Sequence, residues 1–155
     1  MVNIGAIFLR LFGIHYHAGN IERINQATWE FFGLATSSIR IVAGELTNLF
    51  YSDPRTLQAL EKAREKGVCV EIVHGPARDE NVAALLQARG VKLYMLDERP
   101  RIHFTIVDGK HAKVEDFHEP GQVNRVYYIK YNTEYLAASL EEKFATLKAK
   151  AHAEG

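Results

Sequence analysis

Arg101-Ile-His103-Phe-Thr-Ile-Val-Asp108-Gly109 alternates like a strand and ends in a tight turn. At a side-chain period of two, Arg101 and His103 point to the same face. Asp108-Gly109 after a β-branched run is a hairpin-type turn, and Ala112-Lys-Val-Glu115 is its returning strand. An arginine and a histidine side by side form an anion site. The guanidinium grips phosphate or carboxylate in a planar, two-pronged way and stays charged at any relevant pH.

Upstream of this strand, helical and strand-like stretches take turns. Asn20 can cap a helix carrying Ile21, Ile24, Ala27, Thr28, Phe31 and Phe32 at helical spacing. Ser38–Gly44 reads as a buried strand. Ser52 or Asp53, with Pro54 behind it, opens a second helix that Gly67 ends. Val68–His74 is a strand broken by Gly75-Pro76, Asp79 opens a helix that Gly90 terminates, and Val91–Leu96 is a further strand. Downstream, Gln122–Tyr131 alternates as a last strand. Asn132 or Thr133 then caps a closing helix with Leu136, Leu140, Phe144 and Leu147 on one side.

The first half therefore consists of right-handed βα units with parallel pairing, and the second adds antiparallel hairpins. The expected fold class is α/β, a mixed, mostly parallel sheet flanked by helices on both faces. Residues 20–150 form the expected single domain, preceded by an N-terminal arm over 1–19, which is either a first strand or an amphipathic segment.

With 155 residues the chain suffices for one domain that buries roughly 70% of its unfolded surface. Nineteen basic residues balance nineteen acidic ones, so nucleic acid is not an expected partner and no net field draws the chain to anionic membrane. Cys69 stands alone in an apolar run, which favours burial and a reducing compartment. The apolar start, Met1–Ile14, is interrupted by Arg10 and falls short of the ~20 residues that span a bilayer. A cytoplasmic location follows as the expectation. No Gly-rich phosphate loop, Cys-x-x-Cys pair or nucleophile elbow occurs, and no cofactor is expected.

The ordered set of Ile39–Gly44, Lys66-Gly67-Val68, Val70–Val73, Gly90-Val91-Lys92-Leu93 and Val107-Asp108-Gly109, with the closing helix, resembles half of a phospholipase D superfamily enzyme over residues 20 to 150. Active members carry H-x-K-x-x-x-x-D, followed by Gly-Ser-x-Asn. Anchored on Asp108, the histidine position of that motif holds Arg101 and its lysine position holds His103. With His103 as the motif histidine, Thr105 replaces the lysine and Lys110 the aspartate. The Gly-Ser-x-Asn stretch is replaced by Val114–Gly121. The chain is thus similar to single-copy members with a degenerate motif, some of which are fused to archaeal sugar-responsive regulators.

The resemblance implies a homodimer, because two histidines from two motif copies are needed for turnover. One attacks phosphorus and the other protonates the leaving oxygen. Arginine cannot be that nucleophile. The expected function is a motif-degenerate, homodimeric phospholipase D-like domain that binds a small phosphate-type anion without turnover. Two alternatives stay open: an active phosphodiesterase or nuclease with His103 as catalytic residue, and a structural or interaction module.

The expected ligand-binding residues are Arg101, His103, Asp108, His74 and His118. Asp108 would orient a histidine or cap the turn. His74 ends a parallel strand on the side where such sheets bind ligands. His118 can fold back over the pocket from a turn at Pro120-Gly121. His111, Glu115 and His118 have no repeated metal-ligand spacing and read as a solvated polar loop, so no metal is expected. Tyr127 and Tyr131 share one face and Tyr128 takes the other, an arrangement that suits core packing better than base stacking. His15 and His17 carry no assigned role.

Overall fold

The computed structural model describes residues 14–46, 48–116, 118–119, 122 and 124–154. Most of the expected N-terminal arm, residues 1–13, and the Pro120-Gly121 turn lie outside the described residues. In chain order the elements are β1 (Ile14–Asn20), α1 (Ile21–Phe32), β2 (Ser38–Ala43), α2 (Asn48–Tyr51), α3 (Pro54–Glu65), β3 (Cys69–His74) and α4 (Glu80–Gln87). They continue with β4 (Lys92–Met95), β5 (His103–Val107), β6 (His111–Glu115), β7 (Asn124–Lys130), α5 (Glu134–Lys150) and β8 (His152–Glu154).

The helices start where short polar side chains can take up orphan backbone donors. Asn20 accepts from Arg23 N at 3.1 Å, Asp53 from Arg55 N at 2.8 Å ahead of Pro54, and Asp79 from Asn81 N at 2.8 Å. Thr133 occupies the N-cap position of α5 without a side-chain cap bond.

All eight strands join one mixed sheet in the order β1-β7-β6-β5-β2-β3-β4-β8. Only β2–β3 and β3–β4 pair in parallel, joined by α3 and α4 crossovers. The other five pairings are antiparallel, so the expected parallel majority gives way to an antiparallel one. Beyond the expected β5–β6 hairpin, the antiparallel pairs come from β5 docking beside β2, β7 beside β6, and β1 and β8 on the two edges, a tertiary choice of strand order. β1 runs antiparallel to β7 at one edge, within the stretch assigned to the arm. β8 and the one-turn α2 were not anticipated.

Strand alternation divides the core. Ile39, Ile41, Val70, Ile72, Tyr127 and Ile129 pack with α1, α3 and α4 on one side. Val42, Val73, Phe104, Ile106, Ala112 and Val114 pack with Ala137, Leu140 and Phe144 of α5 on the other. Helices therefore cover both faces, as expected. Tyr131 packs with the first group and Tyr128 with the second. Cys69 is exposed rather than buried, because it is the first residue of β3 and the inward positions begin at Val70. Among the described residues no helix is long and apolar enough to cross a membrane.

Candidate functional site

The β5–β6 hairpin sets the site by register. His103 pairs with Glu115 and Thr105 with Lys113. Alternation turns these four toward α1, opposite to Phe104, Ile106, Ala112 and Val114. They line a cavity of about 100 Å³ with Thr28 and Phe32 of α1, Gly44 just beyond β2, Arg99 and His118. That volume holds several water molecules or one small ligand.

The polar groups on its wall are held tightly. Lys113 is buried, and its Nζ donates to Glu115 Oε1 at 2.6 Å and Thr28 Oγ1 at 2.7 Å. Thr28 Oγ1 passes its own proton to Ile24 O at 2.8 Å. His118 is 4% exposed, and its Nε2 lies 3.0 Å from His103 Nδ1 and 3.6 Å from Glu115 Oε2. Both terminal nitrogens of Arg99 donate to His118 O at 3.2 Å, tying the loop to the segment before β5.

Two buried nitrogens are left over. Arg99 Nε and His103 Nε2 have no hydrogen-bond partner among the described residues. Such groups are rare in folded proteins and each one calls for an explanation. Both lie against Gly44, where an added Cβ would stand 2.6 Å from His103 Nε2 and 2.8 Å from Arg99 Nε. Only glycine allows that approach.

The electrostatics are asymmetric. Burial pushes His103 down to about 4; Glu115 opposes this, while His118 and Arg99 reinforce it. The imidazole is therefore neutral at physiological pH. Lys113 is paired with Glu115, whereas among the described residues Arg99 bonds a backbone carbonyl. Arg99 forms no ion pair among the described residues, and Glu45 and Glu115 place two carboxylates on the same wall as the two cations. Chemically, the arrangement can hold a small anion or present a neutral imidazole to it.

The expected residues do not all meet here. His103 and His118 do. Arg101 does not: it sits in a bend before β5, is exposed and is absent from the cavity wall, because regular strand geometry starts only at His103. Arg99 takes the place expected of it. Asp108 lies at the far end of β5, where it accepts from Thr36, Ser37 and Ser38. His74 is fully buried, with Nδ1 2.7 Å from Gly75 O, and burial lowers its pKa. It stays outside the cavity wall, although a Cβ on Gly75 would strike Gly44 O and the Arg99 backbone.

The loop expectation is corrected in part. Glu115 and His118 are not solvated but join the buried cluster, while His111 packs edge-on against Phe31 and Tyr131 and accepts from Asn132 N. The residues missed were Arg99, Thr28, Thr105 and Lys113. For Thr105, Lys113 and Glu115 the signal was present: counting back from the Asp108-Gly109 turn pairs each with its partner. Arg99 lies in an irregular segment that carries no periodic signal.

No protein-family model matches the sequence, and no curated protein matches it. Solved structures do. The chain is similar to Nuc of Salmonella typhimurium, a phospholipase D family member, with 19% identity and a TM-score of 0.72 over 91% of this chain and 98% of that one. NucT from Helicobacter pylori matches at 10% identity and a TM-score of 0.66, over 91% and 99%. TrmBL2, described as an archaeal chromatin protein with a novel mode of DNA binding, matches at 16% identity and 0.63, over 92% of this chain but 54% of its own. The fold is phospholipase D-like.

Proposed function

We propose that this chain is a motif-degenerate phospholipase D-like domain, acting over residues 20–150, that binds a small phosphate-type anion without turning it over. The supporting observation is the pair of nitrogens without a hydrogen-bond partner among the described residues, Arg99 Nε and His103 Nε2, buried at the wall of a cavity. An anion accepting from Arg99 would satisfy the guanidinium, with Thr105 and Lys113 close by. The resemblance supports a homodimer, and the single cysteine favours a reducing compartment such as the cytoplasm. The balance of nineteen basic against nineteen acidic residues gives no support to DNA binding of the kind ascribed to TrmBL2.

Inorganic phosphate tests this reading. Millimolar phosphate should raise the melting temperature by mass action on the native state. Arg99→Ala should abolish that rise, with chloride at matched ionic strength as the control. An equal response in the variant would overturn the reading. Sedimentation velocity at micromolar concentration tests the homodimer separately.

A second reading has its own observation. His103 is neutral, its Nδ1 is held by His118, and its Nε2 is unpartnered, which is the posture of a nucleophile. Attack on a phosphodiester would form a P–N bond and release an alkoxide that must take a proton from a separate acid. His103 cannot supply it while neutral and attacking. Hydrolysis of bis-p-nitrophenyl phosphate, lost in His103→Ala, would favour this reading over binding alone.

A further inference from the structure

We infer that His103, Glu115 and His118 form a site for a divalent transition-metal ion of the zinc type. It rests on other atoms than the anion reading, His103 Nδ1 here and the Arg99 guanidinium there.

Three donor atoms from two imidazoles and one carboxylate lie within 4.8 Å of one another, and the two histidines are buried. Two donors bound to one ion at about 2.1 Å stand about 3.0 Å apart at right angles and about 3.4 Å apart in a tetrahedron. His103 Nδ1 and His118 Nε2 are separated by 3.0 Å, and His118 Nε2 and Glu115 Oε2 by 3.6 Å. The widest separation in the group, up to 4.8 Å, exceeds the about 3.4 Å of a tetrahedral pair, so closure asks the Glu115 carboxylate to move by about 1.4 Å.

Hydrogen bonding alone explains the cluster less well. A proton between the imidazoles satisfies that pair, but 3.6 Å is too long for a bond from His118 Nε2 to the carboxylate. The three donor atoms converge on one point. A cation at that point satisfies all three.

The surroundings are those of a ligand set held from behind. His118 Nδ1 lies 3.3 Å from Glu119 O, so its N–H points away and Nε2 keeps a lone pair for the ion. When Nδ1 of His103 ligates the ion, the proton of that ring falls on Nε2, the atom at the cavity. Lys113 holds Glu115 Oε1 and so orients the carboxylate from behind. Two histidines and a glutamate leave a fourth position open, which is the pattern of reactive rather than purely structural zinc sites. The sequence hides the site because its donors come from a strand, its hairpin partner and a loop, with no helical His-x-x-x-His spacing.

The test is equilibrium dialysis of the full chain against Zn²⁺, with Co²⁺ as a spectroscopic probe. About one ion per chain should be retained, and Co²⁺ should develop visible ligand-field absorption. His118→Ala and the milder His118→Asn should weaken binding roughly 100-fold, whereas His152→Ala, on an exposed imidazole, should leave it unchanged. Circular dichroism confirms that each variant is folded, and the wild-type Co²⁺ spectrum does not depend on any variant. A wild type that retains no metal after dialysis, or retention unchanged in both His118 variants, overturns the inference. Phosphate stabilisation with no metal binding sinks only this site, and the converse sinks only the anion reading.

Discussion

The two ends of β5 are built on opposite principles. At the Asp108 end, one carboxylate takes five hydrogen bonds of 2.8–2.9 Å from the backbone and hydroxyls of Thr36, Ser37 and Ser38. Asp108 and Gly109 both adopt left-handed φ, 55° and 64°, and Lys110 N donates to Val107 O, closing a type I′ hairpin turn. At the His103 end, two buried nitrogens without a partner among the described residues face a cavity. The aspartate that survives from the motif thus fastens the hairpin to the start of β2. Where polar groups are fully satisfied, the residue serves the fold; where they are not, the fold leaves room for something else.

The largest effect should come from the satisfied end. Asp108→Ala strands five donors and should cost about 3 kcal/mol in urea unfolding, since bonds to a charged acceptor contribute more than neutral ones. His103→Leu removes a buried imidazole that leaves one nitrogen unpaired, and should cost less than about 1 kcal/mol. The reverse order would break the contrast between the two ends.

Acid sharpens the same contrast. Burial alone would raise the Asp108 pKa, but donors from Ser38, Ser37 and Thr36 outweigh it and hold the carboxyl well below its usual 3.8. A depressed native pKa gives stability that is present above the unfolded value and lost as pH falls toward the native one. The stability gap between the wild type and Asp108→Asn should therefore be constant from pH 7 to about 5 and shrink below about 4. A gap that does not change with pH would mean that the carboxylate charge contributes nothing.

A smaller effect is expected at Gly44. Its missing Cβ lets His103 and Arg99 close on the backbone, so Gly44→Ala must push one of them aside. The expected cost is about 1–3 kcal/mol, together with loss of the phosphate response. A variant that keeps the response would show that the close approach does not shape the pocket.

Legibility in the sequence follows the same division. The hairpin, the capped helices at Asn20, Asp53 and Asp79, and the parallel β2–β3–β4 run were legible because each rests on local chemistry. The docking of β5 beside β2 was not, since strand order across a sheet is a tertiary choice that alternation does not encode. β8, His152-Ala-Glu154, has no apolar pattern to announce it. In the site, His103 and the Asp108 turn could be named from spacing. Arg99 and the inward fold of His118 could not, because both depend on irregular chain whose path is set by contacts, among them the Arg99 bonds to His118 O.

The smallest expected effect discriminates best between one chain and two. Arg101 occupies the motif histidine's position yet is exposed on the single chain. Arg101→Ala should change stability by less than about 0.5 kcal/mol, as exposed substitutions do. If the pocket belongs to each chain by itself, phosphate should stabilise this variant as well as the wild type, while Arg99→Ala responds to nothing. Loss of the response in Arg101→Ala would instead place that guanidinium in a second chain's site. The twofold arrangement implied by the resemblance would then govern binding, and the phosphate response should fall with dilution as the dimer dissociates.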